Sequence, residues 1–322
     1  MWDLQSQRLI GALIAHDADP RRPPLRRSGS VVLTGVLLAA LAAGLLAGYG
    51  MLTGASLAEP TDPSAILLDR VTGARYVYLE SDGRLHPVLN YTSGLLLAGP
   101  SVKAVAAGKL AKVPLGTTLG IAGAPDALPA AESLLGEAWT VCTDRAGHGT
   151  LLVGTVPRGE PLSGRALLVQ DPSRRTFLVR DGLRRQLPGP GGHVPAPVAA
   201  AWIDAVPAGP DLDALPADIE TTDFAVRACV THPSGEPASI RVDPVVPSTD
   251  EVYVPRGRGA VVVSPVGAVH IVTDDGRGFP LASADLLARL GYPEVKPVTV
   301  PAELLALLPA GPLLDPEAVG RR

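Results

Sequence analysis

Nucleotide hydrolysis and hydrolase chemistry each require a recognisable pattern of residues, and the sequence contains neither. A phosphate-binding P-loop reads G-x-x-x-x-G-K-[ST], because its backbone N–H groups surround the phosphates. The nearest stretch, AVAAGKLAK at 104–112, has Leu110 in place of Ser or Thr and Lys103 in place of the first Gly. The sequence also lacks a G-x-S-x-G nucleophile elbow and an H-E-x-x-H zinc motif. We therefore predict that the protein is not an enzyme and has no catalytic residue and no cofactor.

The titratable residues do not group into a metal site or an acid–base pair. The six histidines stand singly along the chain: His16, His86, His148, His193, His232 and His270. Acidic pairs such as Asp274 with Asp275, and Asp211 with Asp213, lie in turn-like sequence, where solvated carboxylates are expected. No metal ligand is predicted.

The two cysteines are the remaining residues with chemical potential. Cys142 and Cys229 lie in AWTVCT and FAVRACVT, stretches whose Val, Thr and aromatic content is typical of strands. An even count favours a disulfide in an oxidising compartment, here closing a loop of about 88 residues. The alternative is two buried free thiols. A metal site is rejected, because the nearest histidines, His148 and His232, are not at ligand spacing.

An uncharged stretch near the N-terminus predicts which compartment holds the cysteines. No charged residue occurs from Ser28 to Leu57, and a helix over 31–51 would roughly match the hydrocarbon thickness of a bilayer. Four arginines precede this stretch: Arg21, Arg22, Arg26 and Arg27. No Lys or Arg follows until Arg70, so we predict a single-pass plasma-membrane protein with a cytoplasmic N-terminus and an extracytoplasmic C-terminal domain. The alternative is a cleaved signal peptide, although the apolar run is longer than a signal core.

Two features of the N-terminal region predict contacts with partner proteins. Ala40, Gly44 and Gly48 form a row of small residues that would allow close helix packing, although ordinary Ala and Gly content explains the row equally well. Before the apolar stretch, residues 3–16 have apolar side chains at helical spacing, which would dock a cytoplasmic partner or lie on the membrane. These side chains are Leu9, Ile10, Leu13 and Ile14.

The rest of the chain repeats one short pattern three times. An apolar strand, a turn, a second strand, an Asp-Gly turn and a third strand precede a helical stretch, with Asp-Gly at 82–83, 181–182 and 275–276. Asp-Gly between alternating strands predicts a β-hairpin, so Asp82, Asp181 and Asp275 are interpreted as turn residues rather than acids. A V/L-P-x-G motif at 113–116, 206–209 and 308–311 closes each unit. Because about 50 residues cannot bury an apolar face alone, each unit needs neighbours.

These patterns predict an α+β fold in which one transmembrane helix precedes an extracytoplasmic domain of small β-meander and helix modules. The modules would surround a disulfide-bonded central module. The predicted segments are a cytoplasmic segment with an amphipathic helix (1–30), the transmembrane helix (31–51), repeat 1 (60–116), repeat 2 (161–212), repeat 3 (257–315) and a central module in two parts (117–160 and 213–256). The net charge of −4 and the lack of a basic region argue against a nucleic-acid partner.

Several blocks of the sequence resemble the EccB family, the B-type membrane subunits of type VII (ESX) secretion systems in actinobacteria. The blocks are TGARYV with DGRLHPVLN and TSGLLL (72–97), GIAGAPDALP (120–129), W-x-V-C (139–142) and YVPRGRGAVV (253–262). The resemblance implies a single-pass subunit whose outward domain has repeats around a disulfide-bonded core. Members have four repeats where this sequence has three, and some are described as ATPases.

The resemblance also implies a set of partners. These are the EccC-type motor ATPase, the EccD-type and EccE-type membrane subunits, the mycosin-type protease and further copies of the chain itself. We predict a structural membrane component of a type VII secretion complex, whose repeat domain acts as an assembly scaffold. One alternative is a peptidoglycan-binding ectodomain, which would need exposed aromatics, and the chain has only 3 Trp, 6 Tyr and 3 Phe. The other is an ATP-hydrolysing subunit, for which no motif was found.

Overall fold

The computed structural model describes residues 28–53, 58–136, 138–233 and 237–320, and the chain divides into two units, Met1–Ala58 and Glu59–Arg322. The described part of the first unit contains the helix α1, Ser28–Thr53, which includes the predicted range 31–51. Side chains are described for 32–46 of this helix, and all of them are exposed. Over the residues whose side chains are described, no helix is long and apolar enough to cross a membrane.

The second unit is built of short strands and short helices. Its first elements are β1 (Ile66–Asp69), β2 (Arg75–Leu79), β3 (Arg84–Pro87), α2 (Tyr91–Ala98), β4 (Val102–Val105) and α3 (Ala107–Leu110). The middle elements are β5 (Trp139–Asp144), β6 (Gly149–Val153), β7 (Arg158–Pro161), β8 (Ala166–Gln170), β9 (Thr176–Arg180), β10 (Leu183–Leu187), β11 (Ala196–Pro197), α4 (Ala200–Ala205) and β12 (Thr221–Thr222). The last elements are β13 (Arg227–His232), β14 (Ser239–Val245), β15 (Val252–Tyr253), β16 (Ala260–Val263), β17 (Val269–Val272), β18 (Gly278–Pro280), α5 (Leu286–Arg289), β19 (Val298–Thr299) and α6 (Ala302–Leu305).

Within the described residues, these strands form three sheets of the same design and one larger sheet. Sheet 1 has the order β3-β2-β1-β4, sheet 2 has β10-β9-β8-β11 with β12 also on β8, and sheet 3 has β18-β17-β16-β19. In each, three antiparallel strands are followed by a fourth strand that is parallel to the first. The sequence predicted only the three-stranded meander, so the fourth strand is an addition.

The hairpins predicted at the Asp-Gly turns are confirmed by the strand pairing. The turns join β2 to β3, β9 to β10 and β17 to β18, and each pair is antiparallel. Gly83, Gly182 and Gly276 all have positive φ, between 67° and 78°, which a residue without Cβ adopts at no steric cost.

The V/L-P-x-G motifs pair with the third strand of each sheet, which explains their recurrence. In sheet 1, the Leu85 N–H donates to the Pro114 carbonyl (2.9 Å) and the Leu85 carbonyl accepts from the Gly116 N–H (2.7 Å). The same two bonds join Arg184 to Pro207 and Gly209, and Gly278 to Pro309 and Gly311. A Cβ on Gly116 would lie 2.3 Å from the His86 ring, so the motif needs glycine to pass this close to the strand.

The larger sheet, here called the central sheet, combines two distant segments of the chain. Its order is β15-β6-β5-β13-β14-β7, so β5 to β7 from residues 139–161 pair with β13 to β15 from residues 227–253. Sheet 2 lies between these segments in the sequence. The central strands β5 and β13 are nearly fully buried, which suits their Val, Thr and Cys content.

Candidate functional site

A disulfide joins the two central strands of the central sheet. Cys142 on β5 lies directly opposite Cys229 on β13, with their Cα atoms 4.0 Å apart, and the two are bonded. The disulfide predicted from the sequence is therefore present, and both residues are almost completely buried. Because these cysteines lie 87 positions apart on either side of sheet 2, the bond closes the base of an inserted module.

One face of the central sheet packs against sheets 2 and 3 in a shared apolar cluster, which we call the central core. Its members include Trp139, Val141 and Leu151 from the central sheet, Leu167, Phe177 and Trp202 from sheet 2 and its helix, and Ala260, Val262 and Leu304 from sheet 3 and its helix. All nine side chains are buried. The three groups of elements therefore bury apolar surface jointly, as the sequence argument requires for units too small to fold alone.

Sheet 3 is buried on both faces. Ala260 and Val262 of β16 enter the central core, whereas Val261 between them enters a second cluster, which we call the terminal core. The terminal core includes Ile66, Leu95 and Leu96 from sheet 1 and its helix, and Val261, Ile271, Phe279 and Leu287 from sheet 3 and its helix. Since successive residues of a strand face opposite sides, β16 links sheet 1 to the rest of the unit.

Polar contacts reinforce the packing of sheet 1 against sheet 3. The Arg289 guanidinium donates to the Leu96 carbonyl (Nη1–O 3.0 Å), and the Gly120 N–H donates to the Val319 carbonyl (2.9 Å). The Tyr292 hydroxyl donates to the Pro129 carbonyl (2.6 Å). Burial raises the pKa of Tyr292 well above its ordinary value, so this hydroxyl remains a neutral donor.

Residues 121–126 hold the N-terminus of helix α2. Asn90 precedes the helix and accepts from the Ser93 N–H (3.0 Å) through Oδ1, while its Nδ2 donates to the Ile121 carbonyl (2.8 Å). Thr92 donates to the Pro125 carbonyl, and Asp126 accepts from the Tyr91 N–H. The sequence analysis missed this arrangement, although an Asn before an apolar helical run is a recognised capping signal.

Asp243 positions the entry to β13. Its backbone is left-handed, with φ of 46°, and its carboxylate accepts from the N–H groups of Ala225, Val226 and Arg227. Burial acts to raise the pKa of Asp243, but the three N–H groups outweigh it and hold the pKa below its ordinary value. The stabilisation is present above the ordinary carboxyl pKa and is lost as the pH falls through the lower folded-state pKa.

His232 is a structural residue at the end of β13. Its Nε2 donates to the Ala205 carbonyl at the end of α4 (2.7 Å), which ties the central sheet to the helix of sheet 2. Burial lowers the pKa of His232, against opposing effects of the Ala205 carbonyl and the Glu303 carboxylate. The imidazole is therefore neutral at physiological pH and well suited to this contact.

The nearest match to a phosphate cradle and the turn residue Asp82 lie in different elements of the fold. Gly108 and Lys109 belong to α3, a single turn with Gly108 exposed, which lacks the long loop of a phosphate cradle. Asp82 accepts from the Arg84 N–H and from His86 Nε2 (2.9 Å), as a turn residue does. No group of three or more potential metal ligands occurs among the described residues.

The predicted N-terminal contact residues are only partly within the described residues. Leu9, Ile10, Leu13 and Ile14, and the arginines Arg21, Arg22, Arg26 and Arg27, lie outside them. Ala40, Gly44 and Gly48 all belong to α1; Ala40 is exposed, and a Cβ on Gly44 would meet no other atom within 4 Å. Their roles in helix packing and docking stay predictions.

Shared cores, a disulfide-bonded central sheet and three sheets of one design define a multi-module repeat protein. The chain matches the family described as "Type VII secretion system ESX-1, transport TM domain B" over residues 2–227 and 220–321. It therefore belongs to this family, the EccB proteins, as the resemblance of its sequence blocks predicted.

Curated relatives give the same assignment. The chain is 29% identical over 346 residues to "ESX-3 secretion system ATPase EccB3" of Mycobacterium tuberculosis (strain ATCC 25618 / H37Rv), covering 98% of this chain and 60% of the relative. It is 31% identical over 321 residues to the protein of the same name from Mycolicibacterium smegmatis, covering 89% of this chain and 59% of the relative. The chain thus spans about 60% of the length of these relatives.

Two solved structures share the fold. A chain of "Structure of an intact ESX-5 inner membrane complex, Composite C3 model" matches with a TM-score of 0.70 and 20% identity, covering 99% of this chain and 93% of that one. A chain of "Structure of EccB3 dimer from the ESX-3 core complex" matches with a TM-score of 0.62 and 21% identity, covering 80% of this chain and all of that one.

Proposed function

We propose that this protein is a structural membrane component of a type VII secretion complex, and that its repeat domain is an assembly scaffold. The observation that carries the proposal is the burial of sheet 3 on both faces, because it joins sheet 1, the central sheet and sheet 2 through continuous cores. A unit built this way presents fixed surfaces to partners. Membership of the EccB family supports the proposal and favours it over a peptidoglycan-binding ectodomain.

The proposed partners are those that the family resemblance implies. They are the EccC-type motor ATPase, the EccD-type and EccE-type subunits, the mycosin-type protease and further copies of this chain. The solved relatives belong to inner membrane complexes, and one of them is a dimer. We propose that the chain contributes binding surfaces to such a complex and does not hydrolyse ATP, although its relatives are named ATPases. The one-turn helix at Gly108 and Lys109 supports this view.

We propose the module boundaries predicted from the sequence. Repeat 1 (60–116), repeat 2 (161–212) and repeat 3 (257–315) would each correspond to one small sheet with its helix, although sheet 2 also includes β12 at 221–222. The central module (117–160 and 213–256) would correspond to the disulfide-bonded central sheet. Supporting this division, each V/L-P-x-G motif pairs with the third strand of its own sheet and ends the unit there.

We propose that α1 anchors the protein in the plasma membrane as its single crossing. The support is its 26 residues, the absence of charge from Ser28 to Leu57 and the exposed apolar side chains over 32–46. A helix of this length is about 39 Å long, more than the hydrocarbon core requires. The arginines at 21–27 orient the N-terminus to the cytoplasm.

Reporter fusions test this topology. We expect alkaline phosphatase fused after residue 60 or after residue 322 to be active, and green fluorescent protein fused there to be dark when exported through the general secretory route. The same reporters fused before residue 1 should behave in the opposite way. Alkaline phosphatase that is inactive at either downstream position contradicts the proposed orientation.

The assembly proposal is tested at the apolar residues of the N-terminal segment, Leu9, Ile10, Leu13 and Ile14. Leu9→Asp combined with Leu13→Asp should reduce recovery of the other membrane subunits in co-purification by about tenfold or more, because two apolar side chains proposed to dock a partner are replaced by charges. The measurement is the yield of each subunit per tagged chain, with Gln5→Asp as a control of equal added charge per site. The double variant should keep its disulfide. If the double variant still co-purifies fully, and removal of the repeat domain abolishes co-purification, the repeats and not the N-terminal segment hold the complex together.

A further inference from the structure

The face of the central sheet that carries the disulfide contains a cavity of about 320 Å³. It lies opposite the central core, beside a small apolar cluster in which Leu152, Val246 and Tyr253 contact the two cysteines. The lining residues are Cys142, Thr143, Asp144, His148, Thr150, Arg227 and Thr249.

Strand register brings the polar residues of the cavity together. Arg227 on β13 lies opposite Asp144 on β5, and Thr150 on β6 lies opposite Cys142 on β5. Directly paired residues, and residues two apart on one strand, share a face of a sheet. The Arg227 guanidinium and the Thr150 hydroxyl therefore stand on the same face as the disulfide.

Both carboxylate oxygens of Asp144 accept hydrogen bonds within its own turn. Its Oδ1 accepts from the N–H groups of Ala146 and His148, both at 2.9 Å, and its Oδ2 accepts from His148 Nδ1 (3.0 Å). Burial acts to raise the pKa of Asp144, but hydrogen bonds from His148 and Ala146 hold it below its ordinary value. The carboxylate thus orients the His148 ring at the rim, and the structure describes no ion pair between Asp144 and Arg227.

Thr143 and His148 of the cavity both bond to Asp144. Three other side-chain donors of the cavity have no protein acceptor in the part of the chain that the structure describes: Arg227, Thr150 and Thr249. The Arg227 guanidinium is half-buried, and no hydrogen bond or ion pair holds it there, although its backbone N–H donates to Asp243. The hydroxyls of Thr150, which is 9% exposed, and of Thr249, which is exposed, also lack a described partner. The half-buried Arg227 guanidinium and the unpaired hydroxyls of Thr150 and Thr249 line one cavity, and this set of donors favours binding of an oxyanion.

We propose that this cavity binds a phosphomonoester, with Arg227, Thr150 and Thr249 as donors to the phosphate. A guanidinium gives two parallel N–H bonds to two oxygens, and the two hydroxyls supply the donors that a third oxygen needs. A carboxylate would use only two of these donors. The volume exceeds that of phosphate alone, so a small organic group fits beside it. The inference does not depend on the assembly role of the repeat domain.

The test measures phosphate binding by the full-length protein in detergent, with calorimetry and phosphorus NMR. Inorganic phosphate should bind, and Arg227→Gln should weaken binding by about tenfold or more, since charge-assisted hydrogen bonds are lost. Thr150→Val keeps the side-chain shape and removes one hydroxyl, so a loss of about threefold to tenfold is expected. Arg174→Gln, at an exposed arginine of sheet 2, is the matched control and should bind as the wild type does.

Each further outcome decides a separate point. Tighter binding of glucose 1-phosphate than of AMP would identify a sugar phosphate, the reverse would identify a nucleotide, and equal affinity would identify the phosphate group itself as the ligand. Acetate that binds as tightly as phosphate overturns the choice of phosphate. Absence of phosphate binding by the wild type, or equal binding by Arg227→Gln with its disulfide intact, overturns the site.

Discussion

Replacing both cysteines by alanine is expected to lower the free energy of unfolding by about 4–5 kcal/mol. On the chain-entropy account, the cross-link restricts the unfolded chain by closing a loop, and the effect grows with loop length. The cysteines here are 87 positions apart and join the two central strands of the six-stranded sheet. The measurement is urea denaturation of the full-length protein, comparing the wild type with Cys142→Ala plus Cys229→Ala.

Reduction of the wild type provides the control for packing. Reduced cysteines keep the sulfur atoms in the core and lose only the cross-link, so reduced wild type should show most of the loss seen in the double variant. Intact-mass measurement before reduction should give two hydrogens fewer than the reduced chain. A loss below about 1 kcal/mol, or two thiols that are alkylated in the unreduced denatured protein, contradicts the cross-linking role.

The parts of the fold that the sequence predicted depend on local chemistry. Each of the three hairpins has an Asp-Gly dipeptide between alternating strands, with the glycine at positive φ: Gly83, Gly182 and Gly276. Such a dipeptide favours a hairpin through local backbone conformation, with little contribution from distant contacts. Cys142 and Cys229 have no other cysteine to pair with. The uncharged stretch around α1 likewise predicts a helix from composition alone.

The parts that it did not predict depend on distant contacts. Strands β11 and β19 have two residues each, Ala196–Pro197 and Val298–Thr299, too few for any periodic pattern to appear. They become strands because the parallel edge of β8 or β16 lies beside them. The cavity at Arg227 has the same origin, since it requires the register of β5, β6 and β13.

The sequence of β16 contains a signal for burial on both faces. Residues 260–263 read Ala-Val-Val-Val without alternation, and an unbroken apolar run is typical of a strand buried on both faces. The structure bears out that meaning, because neighbouring residues of β16 enter different cores. This run therefore indicates packed elements on both sides of sheet 3, as the apolar run of β8 does for sheet 2.

The two faces of β16 lead to a matched pair of substitutions. Val261 enters the terminal core and Val262 enters the central core, and both are at most 2% exposed. Either Val261→Asp or Val262→Asp buries a carboxylate without a partner, so each should lower the free energy of unfolding by about 4 kcal/mol or more. Val266→Asp, at a hairpin tip where the valine is 91% exposed, is the control and should change stability little.

Hydrogen exchange should separate the two variants by the region that loses protection. Val261→Asp should increase exchange in β1 and α2, because sheet 1 contacts sheet 3 through the terminal core, and should leave β5 and β13 protected. Val262→Asp should instead increase exchange in β5, β8 and β13, which line the central core. Identical exchange patterns in the two variants would mean that the cores open as one cooperative unit, and that β16 does not divide the domain as its geometry predicts.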